Sequence, residues 1–214
     1  MEEPPAPVVP RLRGRIHQVA SFVSLPVGAA LVALARGGAA RIGAAVFALA
    51  LAAVLGTSAA YHRGAWGAAA RRRMKRLDHS MIYVLIAASY TPVALLALHG
   101  RWTVAVLATV WVGAALGVAL KLWRIDGFRV ATAALYMALG WLAVVALPQL
   151  LRGMSAPALA LAVAGGLLYT AGAIVFALRR PDPRPTVFGY HEVWHAFMVA
   201  AAACHAAMIA LLVR

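Results

Sequence analysis

The chain has 214 residues, 64% of them hydrophobic and 12% charged, with a mean hydropathy of +0.84 and a formal net charge of +14. A soluble domain of this size carries about 25% charged residues, and the apolar residues here run in blocks too long for an amphipathic stripe, so the composition is that of an integral membrane protein without a sizeable soluble domain. No basic segment is interleaved with aromatics, which argues against nucleic acid as a partner; Cys204, the one cysteine, excludes an intramolecular disulfide and a cysteine-rich zinc site.

In chain order, residues 1–10 contain four prolines and RLRGR follows at 11–15. This stretch, 1–15, reads as a disordered basic cytoplasmic tail. The apolar run at about 18–35 exceeds the ~7–15 residues of a signal-peptide core and reads as a retained first span. A crossing needs ~20 mostly apolar residues. Blocks of that kind fall at about 17–35, 42–62, 77–98, 102–121, 129–149, 156–178 and 190–213, which makes residues 16–214 a single seven-helix transmembrane domain, all-α throughout. The basic stretch 63–76 is expected to lie along the inner membrane surface, and Pro92 to kink the third span. With the N-terminus inside, fifteen Lys and Arg fall on the inner side and five on the outer. The excess of positive charge on cytoplasmic loops then gives an N-terminus in the cytoplasm and a C-terminus outside; the Ala-rich composition hints at a GC-rich bacterium, and so at a bacterial inner membrane.

Ionisable groups inside a bilayer are costly and mark function by default. The second span ends in SAAYH, with Ser58 and His62 four apart on one helical face; the third begins RLDHSMIY, with Asp78 and His79 about one turn in; the seventh begins YHEVWH, with His191 and His195 four apart. All lie at the inner ends of their spans. His191-Glu192-Val193-Trp194-His195 is a literal H-E-x-x-H, whose two imidazoles can share one Zn²⁺. In soluble metalloproteases with this motif the third ligand follows it. Here no acidic residue follows Glu192, and His205 lies about 15 Å further along the helix and off the shared face. The protease reading fails, while a metal site with His62 as third ligand stands: three neutral imidazoles and an open fourth position.

Plainer readings stand beside these. His191 and His195 could be interfacial residues, Asp78 could pair with Arg76, and Ser58 could bond its own helix backbone. Glu192 reads as a first-turn acid complementing the helix dipole rather than as a catalytic base. His79 reads as a supporting hydrogen-bond partner, His205 as a contact to a neighbouring helix, and His17 and His99 show no visible partner.

Ser58-x-x-x-His62, RLDHSMIYVLIAASYTP at 76–92 and HEVWHAF at 191–197 together resemble the bacterial hemolysin III family, relatives of the progestin and adipoQ receptors and, more distantly, of the alkaline ceramidases. The resemblance runs from RIHQVASFVSLPVG nearly to the end of the chain. It implies seven transmembrane helices with a cytoplasmic N-terminus, zinc held by His62, His191 and His195, and Asp78 hydrogen-bonded to the metal's water with Ser58 nearby. The leading expectation is a zinc-dependent hydrolase of lipid amide or ester bonds, with membrane lipids as partners and a ceramide-like amide as one substrate the resemblance suggests. The alternative is a non-enzymatic membrane-homeostasis sensor or transporter with a structural zinc. A pore-forming cytolysin, after the family name, fits less well, since no secretion signal is read and such spans cannot leave one bilayer for another.

Overall fold

The computed structural model describes residues 9–214. The described residues form eight α-helices: α1 (Arg15–Leu34), α2 (Gly38–Arg63), α3 (Ala68–Ala97), α4 (Arg101–Trp123), α5 (Arg129–Gly140), α6 (Leu147–Gly153), α7 (Ala156–Leu178) and α8 (Tyr190–Leu212). Among the described residues there is no strand, only an isolated bridge between Arg184 and Phe188. Six helices (α1, α2, α3, α4, α7 and α8) are long and apolar enough to cross a membrane, and the bent pair α5 and α6 can make a seventh crossing.

Sequence neighbours pack on one another from α1 to α4 and again as α7 with α8, and α1 closes the ring against α8. The interior belongs to α2 and α3, where Ala44, Phe47, Leu51, Val54, Leu85, Ala88 and Ala94 are buried in one cluster. Lipid is as apolar as these side chains, so close backbone approach rather than escape from water holds such helices together. Gly43 shows how: a Cβ there would come within 2.8 Å of the Pro92 Cα.

The fifth expected span, 129–149, is not one helix. α5 stops at Gly140, a 3₁₀ turn covers Leu142–Val144, and α6 restarts at Leu147 with a 52° bend between the two parts. Pro148, in the first turn of α6, has no N–H to give to the Val144 carbonyl four residues earlier, so that α-helical bond is missing between the two parts. Tyr90 repairs the break from α3. Its hydroxyl donates to the Gly140 carbonyl at 2.8 Å and accepts from the Ala143 N–H at 2.8 Å, as the low-dielectric interior demands of freed backbone groups.

The basic stretch 63–76 also differs from expectation. Its Arg71, Arg72, Arg73, Lys75 and Arg76 are not a separate surface segment but the opening turns of α3, which runs unbroken through Pro92 for 30 residues, about 45 Å at 1.5 Å per residue. The expected tail lies outside the described residues as far as position 8. From Arg11 the chain is engaged with the bundle: the Arg11 and Leu12 N–H groups donate to the Thr186 and Val187 carbonyls at 3.0 and 3.1 Å.

Candidate metal centre

Helical spacing brings the three predicted imidazoles to one point. His62 stands in the last turn of α2 and His191 and His195 in the first two turns of α8. Their ligand atoms all lie within 4.8 Å of one another, with His62 Nε2 and His191 Nε2 3.2 Å apart. Two nitrogens bound at ~2.0–2.1 Å to a tetrahedral zinc stand about 3.3–3.4 Å apart, close to the spacing of the His62–His191 pair. In its absence one ring can donate its N–H to the other's lone pair. His195 is buried, whereas His62 and His191 keep partial access.

The start of α8 is held with unusual thoroughness. The Gly189 N–H donates to Glu192 Oε2 at 2.9 Å, the Tyr190 N–H to Asp182 Oδ1 at 2.9 Å, and Arg13 Nε to Glu192 Oε1 at 2.6 Å. Both oxygens of the fully buried Glu192 are therefore engaged, one in a helix cap and one in an ion pair. The loop leaving α2 is short, and its Trp66 Nε1 donates back to the Ala60 carbonyl at 2.8 Å.

Ser58 is buried one turn before His62 on α2, and its hydroxyl approaches the Asp78 carboxyl of α3. Among the described residues no hydrogen bond or ion pair joins Asp78 directly to the three imidazoles; the histidine that Ser58 meets is His17, at 2.8 Å. The Asp78 side chain is 14% exposed, and the basic side-chain atom beside it is His79 Nδ1 at 3.5 Å, not one of Arg76. His79 turns to its own helix, Nδ1 lying 2.9 Å from the Lys75 carbonyl. His205 packs over Gly165 and Tyr169 of α7, far from the cluster along α8.

One member of the site carried no signal of partnership in the sequence. His17, buried in the first turn of α1, places Nδ1 2.8 Å from Ser58 Oγ and stacks on His195 with ring centroids 3.7 Å apart and planes 7° from parallel. It has no histidine or acid at helical spacing, so periodicity could not find it; the rule that a buried ionisable residue in a span needs a partner applied to it equally. Gly14 makes the approach possible. It sits at φ 75°, in the left-handed region, and a Cβ there would meet the His62 Cβ at 2.6 Å.

Beyond the cluster an apolar cavity of about 150 Å³ opens inside the bundle, with Trp194, Met198, Tyr90, Tyr169 and His205 among its walls. Trp194, in the cavity wall, belongs to the same turns of α8 as His191 and His195.

A multi-span helical membrane protein with a histidine cluster at one end of its bundle is thus the class that fold and site define. The chain belongs to the haemolysin III family, whose family model, described as haemolysin-III related, matches residues 8–206. It is similar to Hemolysin-3 of Bacillus cereus, 35% identical over 127 residues that make up 59% of this chain and 55% of that protein. It is also similar to the Hemolysin-3 homolog of Bacillus subtilis (strain 168), 32% identical over 127 residues, 59% of this chain and 57% of that one. The matched segment spans a little over half the length of these curated relatives.

Proposed function

We propose that this protein is a zinc-dependent hydrolase of membrane-lipid amide or ester bonds, with His62, His191 and His195 as the metal ligands and Asp78 as the proton acceptor. The observation that carries this reading is the convergence of three imidazoles, two of them 3.2 Å apart, beside a carboxylate held by a buried serine. Bound there, zinc would supply Lewis acidity towards a carbonyl oxygen and towards water. Asp78 accepts the water's proton at its carboxylate, and Ser58 holds that carboxylate in position by donating its hydroxyl hydrogen. Glu192 takes no part in proton transfer and serves α8.

The apolar cavity beside Trp194 supports a hydrocarbon-bearing substrate over a peptide. The amide of a ceramide-like lipid is the substrate that the family resemblance suggests. The excess of Lys and Arg at this end of the bundle supports a site facing the cytoplasm, with the N-terminus inside and the C-terminus outside, in a bacterial inner membrane. Metal analysis of the purified protein, joined to a lipid-hydrolysis screen of wild type against Asp78→Asn, tests the proposal. Zinc with turnover that Asp78→Asn abolishes supports it; protein without zinc overturns it.

One observation favours a second reading. α2 and α8 touch little outside the cluster, so an ion shared by His62 and the α8 pair would tie two helices that otherwise barely meet. On that reading the zinc is structural and the protein is a sensor or transporter. Zinc retained, with no turnover of any lipid and unaltered behaviour of Asp78→Asn, would select it.

A further inference from the structure

A buried histidine with a purely structural role ordinarily has both ring nitrogens satisfied. His17 does not. Nδ1 meets Ser58 Oγ at 2.8 Å, while Nε2 is buried and finds no hydrogen-bond partner among the described residues. The ring lies flat on His195 at 3.7 Å. Two parallel rings direct their in-plane lone pairs side by side rather than to one point, and His17 is not among the three histidines whose ligand atoms all lie within 4.8 Å of one another. His17 is therefore beside the proposed centre and not a fourth ligand to it.

Hydrogen-bond bookkeeping fixes what it does at Ser58. A hydroxyl has one hydrogen to give. If Ser58 gives that hydrogen to the Asp78 carboxylate, which as an anion only accepts, the contact with His17 is made by Nδ1–H donating to Ser58 Oγ. The imidazole is then in its Nδ1–H form. One ring then touches both halves of the site: by its face, the ligand His195 of α8; by its edge, the serine that holds the Asp78 carboxylate of α3.

We propose that His17 is a positioning residue of this centre, fixing the ring plane of His195 by stacking and the Ser58–Asp78 pair by its Nδ1–H. This rests on the metal-centre reading above and adds a residue from α1 to it. Groups that orient metal ligands from behind typically contribute about 10- to 100-fold in metal affinity.

The test compares His17→Ala, which removes stack and hydrogen bond, with His17→Phe, which keeps a ring face and removes only the hydrogen bond. Zinc dissociation constants come from chelator competition, the ligand field from the absorption spectrum of Co²⁺ bound in place of zinc, and packing from the thermal midpoint of the metal-free protein. His17→Ala is expected to bind zinc about 10-fold more weakly with a shifted Co²⁺ spectrum, and His17→Phe to recover most of that loss. On whatever lipid the wild type turns over, His17→Phe should lower kcat as Ser58→Ala does, with no further loss in the double variant. Wild-type affinity and an unaltered Co²⁺ spectrum in His17→Ala overturn the proposal while leaving the centre intact. Equal losses in both variants, tracking equal falls in the metal-free midpoint, overturn it in favour of packing alone. A wild-type protein that takes up no metal overturns both the centre and this inference.

Discussion

Arg13 and Glu192 form an ion pair at 2.6 Å across 179 positions of sequence, with the carboxylate side chain 1% exposed. The second glutamate oxygen caps its own helix through the Gly189 N–H. The Glu of an H-E-x-x-H here serves as a fastener between the segment preceding α1 and the first turn of α8.

Stability of this pair should depend on which partner is removed. Arg13→Ala leaves a carboxylate buried and uncompensated, at about 3–5 kcal/mol. The double variant Arg13→Ala/Glu192→Gln, which removes the charge as well, is expected to unfold at a higher temperature than Arg13→Ala alone. Thermal unfolding in detergent reads the order. Glu192→Gln by itself should leave any lipid turnover within about threefold of wild type, since a general base would contribute 10²–10⁴-fold.

Metal content is expected to be one zinc per chain, lost in His62→Ala, His191→Ala and His195→Ala alike. Stripping the wild type with a chelator should lower its thermal midpoint, because an ion that binds only the folded state adds to its stability. Elemental analysis and a melting curve before and after chelation check both statements. A midpoint indifferent to the chelator, in protein that does carry zinc, would contradict the placement of the ion between α2 and α8.

Asp78→Asn separates chemistry from binding. The amide keeps the size of the carboxylate and can still meet Ser58, so zinc should be retained at wild-type affinity to within a few-fold. Turnover should fall by about 10²–10⁴, the usual contribution of a positioned acid or base. Single-turnover hydrolysis of a labelled lipid in detergent measures it.

Tyr90→Phe tests the repaired break between α5 and α6. It removes the donor to the Gly140 carbonyl and the acceptor for the Ala143 N–H, leaving two backbone groups unpaired. The expected destabilisation is about 1–3 kcal/mol per group, seen as faster proteolysis at residues 140–146 as well as a lower melting temperature.

The spans and the three imidazoles were legible because each rests on a strict rule: twenty apolar residues to cross a bilayer, and four residues to return to one helical face. Charge counts along the chain set His62, Asp78 and His191 at the same end of the bundle, and the structure brings two of these three into contact at 3.2 Å. What was not legible depends on contacts between distant segments. Nothing near Pro148 announces that Tyr90 will satisfy the freed backbone, and hydropathy alone made 129–149 one continuous span. The stretch 63–76 is rich in charge, and hydropathy separates it from the span that follows, yet Arg and Lys are good helix formers and α3 begins among them. Glu192 was read as a helix-dipole residue from position alone; its partner in the N-terminal segment could not be read. His17 lacked a neighbour at helical spacing, and its partners come from α2 and α8.

The distance along the chain between His62 and His191, 129 positions, sets a timetable for assembly. At about 5–20 residues per second of synthesis, α2 is complete roughly 6 to 26 seconds before the first turn of α8 is made. Through that interval a nascent chain holds His62 without His191 and His195, so the three-histidine cluster cannot form before α8 is made. On the metal-centre proposal, loading has to wait for α8, and a ribosome-stalled chain arrested before position 191 should emerge from the translocon metal-free.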